Sequence, residues 1–153
     1  MEMPQPSEGH RKLHTMAGRW EGEETMYPSR WDPKGGTAIG RINSRIALNG
    51  FVVINDYEQE RDGHITFEGH GIYTYDPKAE SYTLVWVDSM GAPPEIFKGN
   101  FEGDILTVAH GGPGMHVRVT YDMSQPNCLV RSMEISQDGK DWKRFLDGWM
   151  TRR

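Results

Sequence analysis

The sequence predicts an all-β protein, a closed antiparallel up-and-down barrel of about ten strands with a short helix over one end. Three observations lead to this prediction. Helical periodicity ends at Gly18, alternating apolar and polar segments continue from there to the C-terminus, and turn residues separate those segments. A meander of that length exposes two sheet edges unless its first and last strands pair, which favours a closed barrel.

The N-terminal segment predicts one short helix. Ser7 is a candidate N-cap for a helix over Gly9 to Met16, in which Leu13 and Met16 face inward and which Gly18 ends. The helix is expected to close one end of the barrel.

Strand-like segments then follow one another, and turn chemistry separates them. Asn49-Gly50 and Asp62-Gly63 favour two-residue hairpins, and Asp76-Pro77, Gly103-Asp104 and Asp138-Gly139 mark further turns. The predicted strands are Arg19 to Tyr27, Thr37 to Leu48, Phe51 to Glu60, His64 to Tyr75, Ser81 to Asp88, Ile96 to Phe101, Ile105 to Ala109, Met115 to Met123, Leu129 to Ser136 and Trp142 to Met150.

Length and composition favour one domain over residues 1–153, long enough to bury roughly 70% of the surface of the unfolded chain. The net charge is −5 without a basic block, which argues against a nucleic-acid partner. No apolar run approaches the ~20 residues of a membrane span. The single cysteine, Cys128, and the absence of a signal-like start predict a cytoplasmic protein.

Alternation within the strands predicts which side chains face the lumen. Met115, Val117, Val119 and Tyr121 form one apolar face, and the next strand places Leu129, Arg131, Met133 and Ile135 on one face. A buried guanidinium requires a carboxylate partner or water. The candidate partners are Glu24, in phase with Trp20, and Asp88, in phase with Trp86, while Asn55 and Tyr57 add polar atoms to a third face.

Two interpretations of Arg131 are open. In one, Arg131 lies near a barrel end and reaches solvent, and Glu24 and Asp88 are solvated surface carboxylates. In the other, these residues form a charged constellation in the lumen that orients the polar end of an otherwise apolar ligand.

About ten strands enclose more space than side chains fill, so the barrel predicts binding of a small, mostly apolar molecule in its lumen. One alternative is an acid/base enzyme of isomerase or cyclase type acting on a small apolar carbonyl compound, with Asp88 or Glu24 as the base. Another is a filled barrel that acts as a homodimeric interaction protein. The candidate ligand-binding residues are Glu24, Asn55, Tyr57, Tyr73, Trp86, Asp88, Met115, Arg131 and Met133.

Other chemistry has little support in the sequence. The six histidines show no HExxH pair and no spacing with Cys128 that would indicate zinc, so no metal and no cofactor are predicted. His110-Gly111-Gly112-Pro113-Gly114 resembles a phosphate loop, but a strand follows it instead of a helix. It is predicted to be a flexible loop at the barrel mouth. No serine elbow and no activated thiol stand out.

The Gly18-Arg19-Trp20 turn at the first strand resembles the signature of the lipocalin and fatty-acid-binding-protein superfamily. More of the chain resembles an uncharacterised bacterial family, number fifteen seventy-nine in the series of domains of unknown function, with a lipocalin-like (calycin-type) barrel. The resemblance is carried by His10 to Glu23, Gly36-Thr37, Asp62 to Gly91, Gly99, Gly103 to Thr107 and Ser136 to Phe145. It implies a fold and no activity.

The resemblance implies that Trp20 lies on the barrel floor beneath the cation of Arg152 or Arg144. The segment GRWEGEE also resembles the Gly-x-Trp-x-Gly-x-Gly segment of the haem-binding nitrobindins, but Glu24 replaces the last glycine. Those proteins use a histidine near the C-terminus as axial ligand, and no histidine follows His116 here. Haem is therefore not expected.

Overall fold

The computed structural model describes residues 1–153, and its centre is a ten-stranded antiparallel sheet that closes on itself. Each strand pairs with the strand before and after it in the chain, and β1 also pairs with β10. The strands are β1 (Gly18–Met26), β2 (Gly36–Ala47), β3 (Val52–Arg61), β4 (His64–Asp76), β5 (Ser81–Asp88), β6 (Glu95–Glu102), β7 (Ile105–Gly112), β8 (Met115–Asp122), β9 (Cys128–Ser136) and β10 (Lys143–Arg152).

The pairing of β1 with β10 removes the two edges of the meander. It runs from Trp20 opposite Arg152 to Met26 opposite Leu146 without an interruption in register. The predicted closed up-and-down barrel is therefore confirmed.

A helical plug covers one end of the barrel. It consists of α1 (Glu8–Lys12) followed by a 3₁₀ turn (Leu13–Met16), whose Leu13 and Met16 are almost fully buried. The hydroxyl of Tyr82 donates to the carbonyl oxygen of Gly9 at 2.8 Å and ties the plug to β5. We call this the closed end, and the opposite end, where β1 leads into β2 and β9 into β10, the open end.

Trp20 lies on the floor of the barrel above the plug. Its indole Nε1 donates to the carbonyl oxygen of Met16 at 3.0 Å, and the Cζ atom of Arg152 lies 4.3 Å from the ring centroid. Arg152 therefore supplies the cation that the resemblance implied. The alternative cation, Arg144, is wrong: it lies on the outer surface and binds the carboxylate of Asp147 at 2.8 Å.

Three local predictions need correction. The helix is shorter than Gly9 to Met16, because its second half tightens into the 3₁₀ turn. Asn49-Gly50 lies in a separate 3₁₀ turn, Leu48–Gly50, in which Leu48 and Asn49 both have positive φ. The predicted mouth loop at 110–114 is wrong, because β7 continues to Gly112 and Gly112 pairs with Met115 across a tight turn.

The core fills the closed end and the middle of the barrel. It includes Tyr73, Leu106, Val108, Leu129 and Met150, each almost completely buried. Cys128 is a free thiol and is buried. None of the chain's helices has the length and hydropathy that crossing a membrane requires.

Candidate ligand site in the barrel lumen

A buried ion pair joins opposite sides of the β1–β10–β9 seam. Arg131 Nη1 on β9 donates to Glu24 Oε2 on β1 at 2.9 Å. The Glu24 side chain is completely buried, and the Arg131 side chain is 5% exposed. Of the two interpretations open from the sequence, the structure therefore supports a charged constellation of Glu24 and Arg131 inside the barrel.

Tyr57 and Gln59 on β3 complete this cluster. The hydroxyl of Tyr57 donates to Glu24 Oε1, and Gln59 Nε2 lies 3.3 Å from the same oxygen and 3.0 Å from the Tyr57 hydroxyl. The guanidinium of Arg131 lies over the Tyr57 ring, with its Cζ atom 4.5 Å from the ring centroid. Both carboxylate oxygens of Glu24 are therefore hydrogen-bonded.

The surroundings within the cluster keep Tyr57 neutral and Arg131 charged. Burial raises the pKa of Tyr57 well above its usual range, and the neighbouring Glu24 carboxylate raises it further. Burial by itself lowers the pKa of Arg131, but Tyr57 and Glu24 outweigh it and the net pKa is raised. Tyr57 is accordingly a neutral hydrogen-bond donor and Arg131 a permanent cation.

Glycines on both neighbouring strands create the volume that Glu24 occupies. A Cβ atom at Gly40 on β2 would collide with the Glu24 carboxyl group, and one at Gly148 on β10 would lie 3.2 Å from Glu24 Cγ. A larger residue at Gly40 would displace the carboxylate. The local sequence is thus adapted to hold an acidic side chain in the interior.

A pair of tyrosines lies next to Arg131. Tyr121 on β8 is directly opposite Arg131 in the β8–β9 register, and the hydroxyls of Tyr73 and Tyr121 are 2.5 Å apart. Burial raises the pKa of Tyr73 well above its usual range, and the adjacent Tyr121 adds to the shift. Both residues are inaccessible from the outer surface of the barrel.

Inward-facing apolar side chains on the open-end side of the cluster remain partly accessible. Phe67, Trp86, Val117 and Met133 pack against the core without being fully buried. The six-membered ring of Trp86 occupies the space that side chains at Gly69 and Gly71 would need, so it lies against the barrel wall. The open end therefore has an apolar lining, which we call the mouth and define by these four residues.

Asp88 does not contact Arg131 and is not its partner, in contrast to the alternative considered from the sequence. Its Oδ2 accepts a hydrogen bond from Trp86 Nε1 at 2.8 Å, and its Oδ1 accepts one from the Met90 amide at 2.9 Å. These two bonds place the carboxylate at the end of β5, where it holds the Trp86 indole in position.

The other predicted site residues lie at different heights in the barrel. Tyr57, Tyr73, Trp86 and Met133 lie near Arg131 or at the mouth. Asn55 is buried nearer the closed end, where its Nδ2 donates to Ser44 Oγ at 3.1 Å. Met115 lies on the rim of the open end and lines a depression of about 450 Å³.

Four residues of the site were not among the predicted ligand-binding residues: Gln59, Phe67, Val117 and Tyr121. Gln59 lies two residues after Tyr57 on β3 and therefore on the same face as Asn55 and Tyr57, so extending the alternation by one step predicts it. Tyr121 lies on the apolar face predicted for β8, and its contact with Tyr73 joins strands that are distant in sequence. Phe67 lies on β4, where apolar and polar residues occur on both faces, so alternation does not predict which face points into the lumen.

A concave region also lies on the outside of the barrel. This groove, of about 800 Å³, crosses β1 to β5, and we call it the outer groove. Ion pairs occupy much of it: Arg41 binds Glu21 at 2.8 Å and Glu58 at 3.3 Å. No group of three or more His, Cys, Asp or Glu side chains is arranged to hold a metal ion.

The fold has counterparts among solved structures. The crystal structure of Rv2717c from M. tuberculosis superposes with a TM-score of 0.73 at 14% sequence identity and covers 96% of this chain and 98% of its own. At that identity the likeness supports the fold alone. No curated protein matches the chain. The family described as Protein of unknown function (DUF1579) matches residues 5–152, and the chain therefore belongs to that family.

Proposed function

We propose that this protein binds a small, mostly apolar molecule that enters the barrel through the mouth. The observation that carries the proposal is the position of the buried Glu24–Arg131 ion pair beneath apolar, inward-facing side chains that remain partly accessible. Ligand sites commonly combine an apolar lining with a few convergent polar groups.

Burying the Glu24–Arg131 ion pair has a large desolvation cost. Removing two charges from water costs several kcal/mol per ion, and well-packed apolar residues in their place are often neutral or stabilising. Gly40 and Gly148 nevertheless leave the space that Glu24 requires. This combination favours a role for the pair in recognising a polar group.

The arrangement of Trp86 also supports access from the open end. Its ring lies over Gly69 and Gly71, and its only polar atom binds Asp88. An indole held against the wall adds apolar surface and takes little volume from the lumen. Phe67 and Met133 extend that surface around the mouth.

The acid/base alternative has less support in the geometry. Both oxygens of Glu24 are engaged by Arg131, Tyr57 and Gln59, and Asp88 is engaged by Trp86 and the Met90 amide. A proton taken up by Glu24 would weaken its pairing with Arg131, and one taken up by Asp88 would weaken the hydrogen bonds that hold Trp86 and the Met90 amide.

The test is a titration with the uncharged apolar dye Nile red, followed by fluorescence. We expect saturable binding by the unmodified protein, loss of binding in Met133→Trp, which fills the mouth, and unchanged binding in Ser132→Trp, which changes the outer face of the same strand. Equal binding by both variants, or no binding by the unmodified protein, would refute the proposal.

A further inference from the structure

We propose that the polar end of the ligand is an uncharged hydrogen-bond acceptor, such as the carbonyl group of a ketone or an ester, and not a carboxylate. This inference rests on the proposed function and specifies the class of molecule that the same site accepts. It follows from the charge balance of the cluster and from the hydrogen-bonding groups that the cluster leaves unused.

The charges inside the barrel already cancel. Arg131 is paired with Glu24 at 2.9 Å, and both side chains are more than nine-tenths buried. Tyr57 and Tyr73 are neutral, because burial raises the pKa of each hydroxyl. A carboxylate beside Arg131 would add an uncompensated negative charge next to Glu24 in a region with little water, which is strongly unfavourable.

Arg131 retains hydrogen-bond donors that no protein group uses. A guanidinium carries five N–H groups; Nη1 donates to Glu24 Oε2, and the Tyr57 hydroxyl is the other polar group close enough to interact with Arg131. No fully enclosed side-chain nitrogen or oxygen lacks a partner anywhere in the chain. The guanidinium nitrogens of Arg131 that have no protein partner are therefore not fully enclosed.

The tyrosine pair beside Arg131 leaves a further donor. The hydroxyls of Tyr73 and Tyr121 contact one another at 2.5 Å, so one proton lies between the two oxygens. The other phenolic proton has no acceptor in the protein. Because Tyr121 is directly opposite Arg131, both sets of unused donors lie on the same side of the lumen.

The cluster has little acceptor capacity left, because three of the about four acceptor sites of the Glu24 carboxylate are used. Glu24 Oε1 receives Tyr57 and Gln59, and Glu24 Oε2 receives Arg131. A carbonyl oxygen accepts hydrogen bonds and carries no charge, so it satisfies the free donors without disturbing the ion pair. The apolar mouth then contacts the rest of the molecule.

The experiment compares two linear compounds of equal carbon number, methyl octyl ketone and decanoate, as competitors of Nile red at about pH 8, where the carboxyl group is ionised. We expect the ketone to displace the dye at a concentration about tenfold or more below that required for decanoate. Equal displacement, or stronger displacement by decanoate, would overturn the inference.

The variant Glu24→Gln provides a second, independent readout. It leaves Arg131 without a counter-charge, so we expect the preference to reverse in favour of decanoate. An unchanged preference in a variant that still melts cooperatively would contradict the inference. If Glu24→Gln does not fold, the comparison in the unmodified protein decides the question by itself.

The outcomes separate this inference from the proposed function. Failure of Nile red to bind the unmodified protein would refute both. Saturable Nile red binding at the mouth together with equal displacement by the two competitors would refute only the inference about the polar end.

Discussion

Gly40 on β2 and Glu24 on β1 share one volume of the barrel interior, because a Cβ atom at Gly40 would collide with the Glu24 carboxyl group. The small residue at position 40 therefore leaves room for the Glu24 carboxylate inside the barrel. Gly40 thus helps to position the Glu24–Arg131 ion pair, which lies at the polar end of the proposed ligand site.

Gly40→Ala is expected to lower the free energy of unfolding by about 1–3 kcal/mol, because the added methyl group must displace the paired Glu24 carboxylate and the Met150 methyl group, which would lie 2.6 Å from it. The measurement is equilibrium unfolding in urea. Gly112→Ala is the matched control, since a Cβ atom there meets its nearest neighbour at an ordinary 3.5 Å. An equal loss of stability in the two variants would show that the contact with Glu24 is not the cause.

Arg131→Met is expected to lower the free energy of unfolding by about 3–5 kcal/mol, because it leaves Glu24 buried without a counter-charge. The double variant Glu24→Gln with Arg131→Met is expected to be more stable than the sum of the single changes predicts. Urea unfolding of the two single variants and the double variant measures this coupling. Additive effects would contradict a direct interaction.

Arg152→Ala is expected to loosen the closed end. Its guanidinium lies over Trp20, and Nη1 donates to the Ala17 carbonyl oxygen at 2.5 Å, so the change removes a cation–π contact and an anchor of the plug. We expect a loss of about 1–2 kcal/mol, measured by urea unfolding with tryptophan fluorescence.

Arg144→Ala is the control for Arg152→Ala. Arg144 is exposed and forms a surface ion pair with Asp147, which solvent screening makes weak. A larger effect from Arg144→Ala than from Arg152→Ala would contradict the assignment of Arg152 as the residue that closes the floor.

The plug is expected to become less stable in acid because of His10. Burial lowers the pKa of His10 below 6.5, and its Nδ1 accepts a hydrogen bond from the Ser7 amide at 3.0 Å, which requires an unprotonated nitrogen. The unfolded state therefore binds more protons than the folded state as pH falls through 6.5, and stability decreases in that direction.

Thermal melts above and below that pH measure the effect. His10→Gln is expected to reduce the loss of stability on acidification, whereas His64→Gln, at an exposed position, is expected to leave it unchanged. A full acid-induced loss in His10→Gln would assign the effect to another group.

The order and type of the elements could be predicted from the sequence, because alternation and turn residues are local signals. Alternation also puts Arg131 on an inward-facing row, but it leaves open whether the side chain reaches solvent at a barrel end, and the position of Trp20 on the floor follows from the family resemblance. Their partners were harder to choose: alternation tells which face a residue occupies and does not give its height along the barrel axis.

Asp88 illustrates the limit. It is in phase with Trp86 and was a possible partner for Arg131, yet the register of β4 and β5 places it opposite Gly69, at the end of its strand. Register depends on pairing between strands and was not readable from one sequence. The contact of Tyr73 with Tyr121 was inaccessible for the same reason, since it depends on the closure of the whole sheet.

The most direct test is a crystal structure of the protein with a methyl octyl ketone that carries bromine on the carbon farthest from the carbonyl group. The proposed function and its extension predict an anomalous bromine peak at the mouth, beside Phe67 and Met133, and the carbonyl oxygen within hydrogen-bond distance of Arg131. A bromine peak in the outer groove, with the lumen free of the ketone, would contradict both.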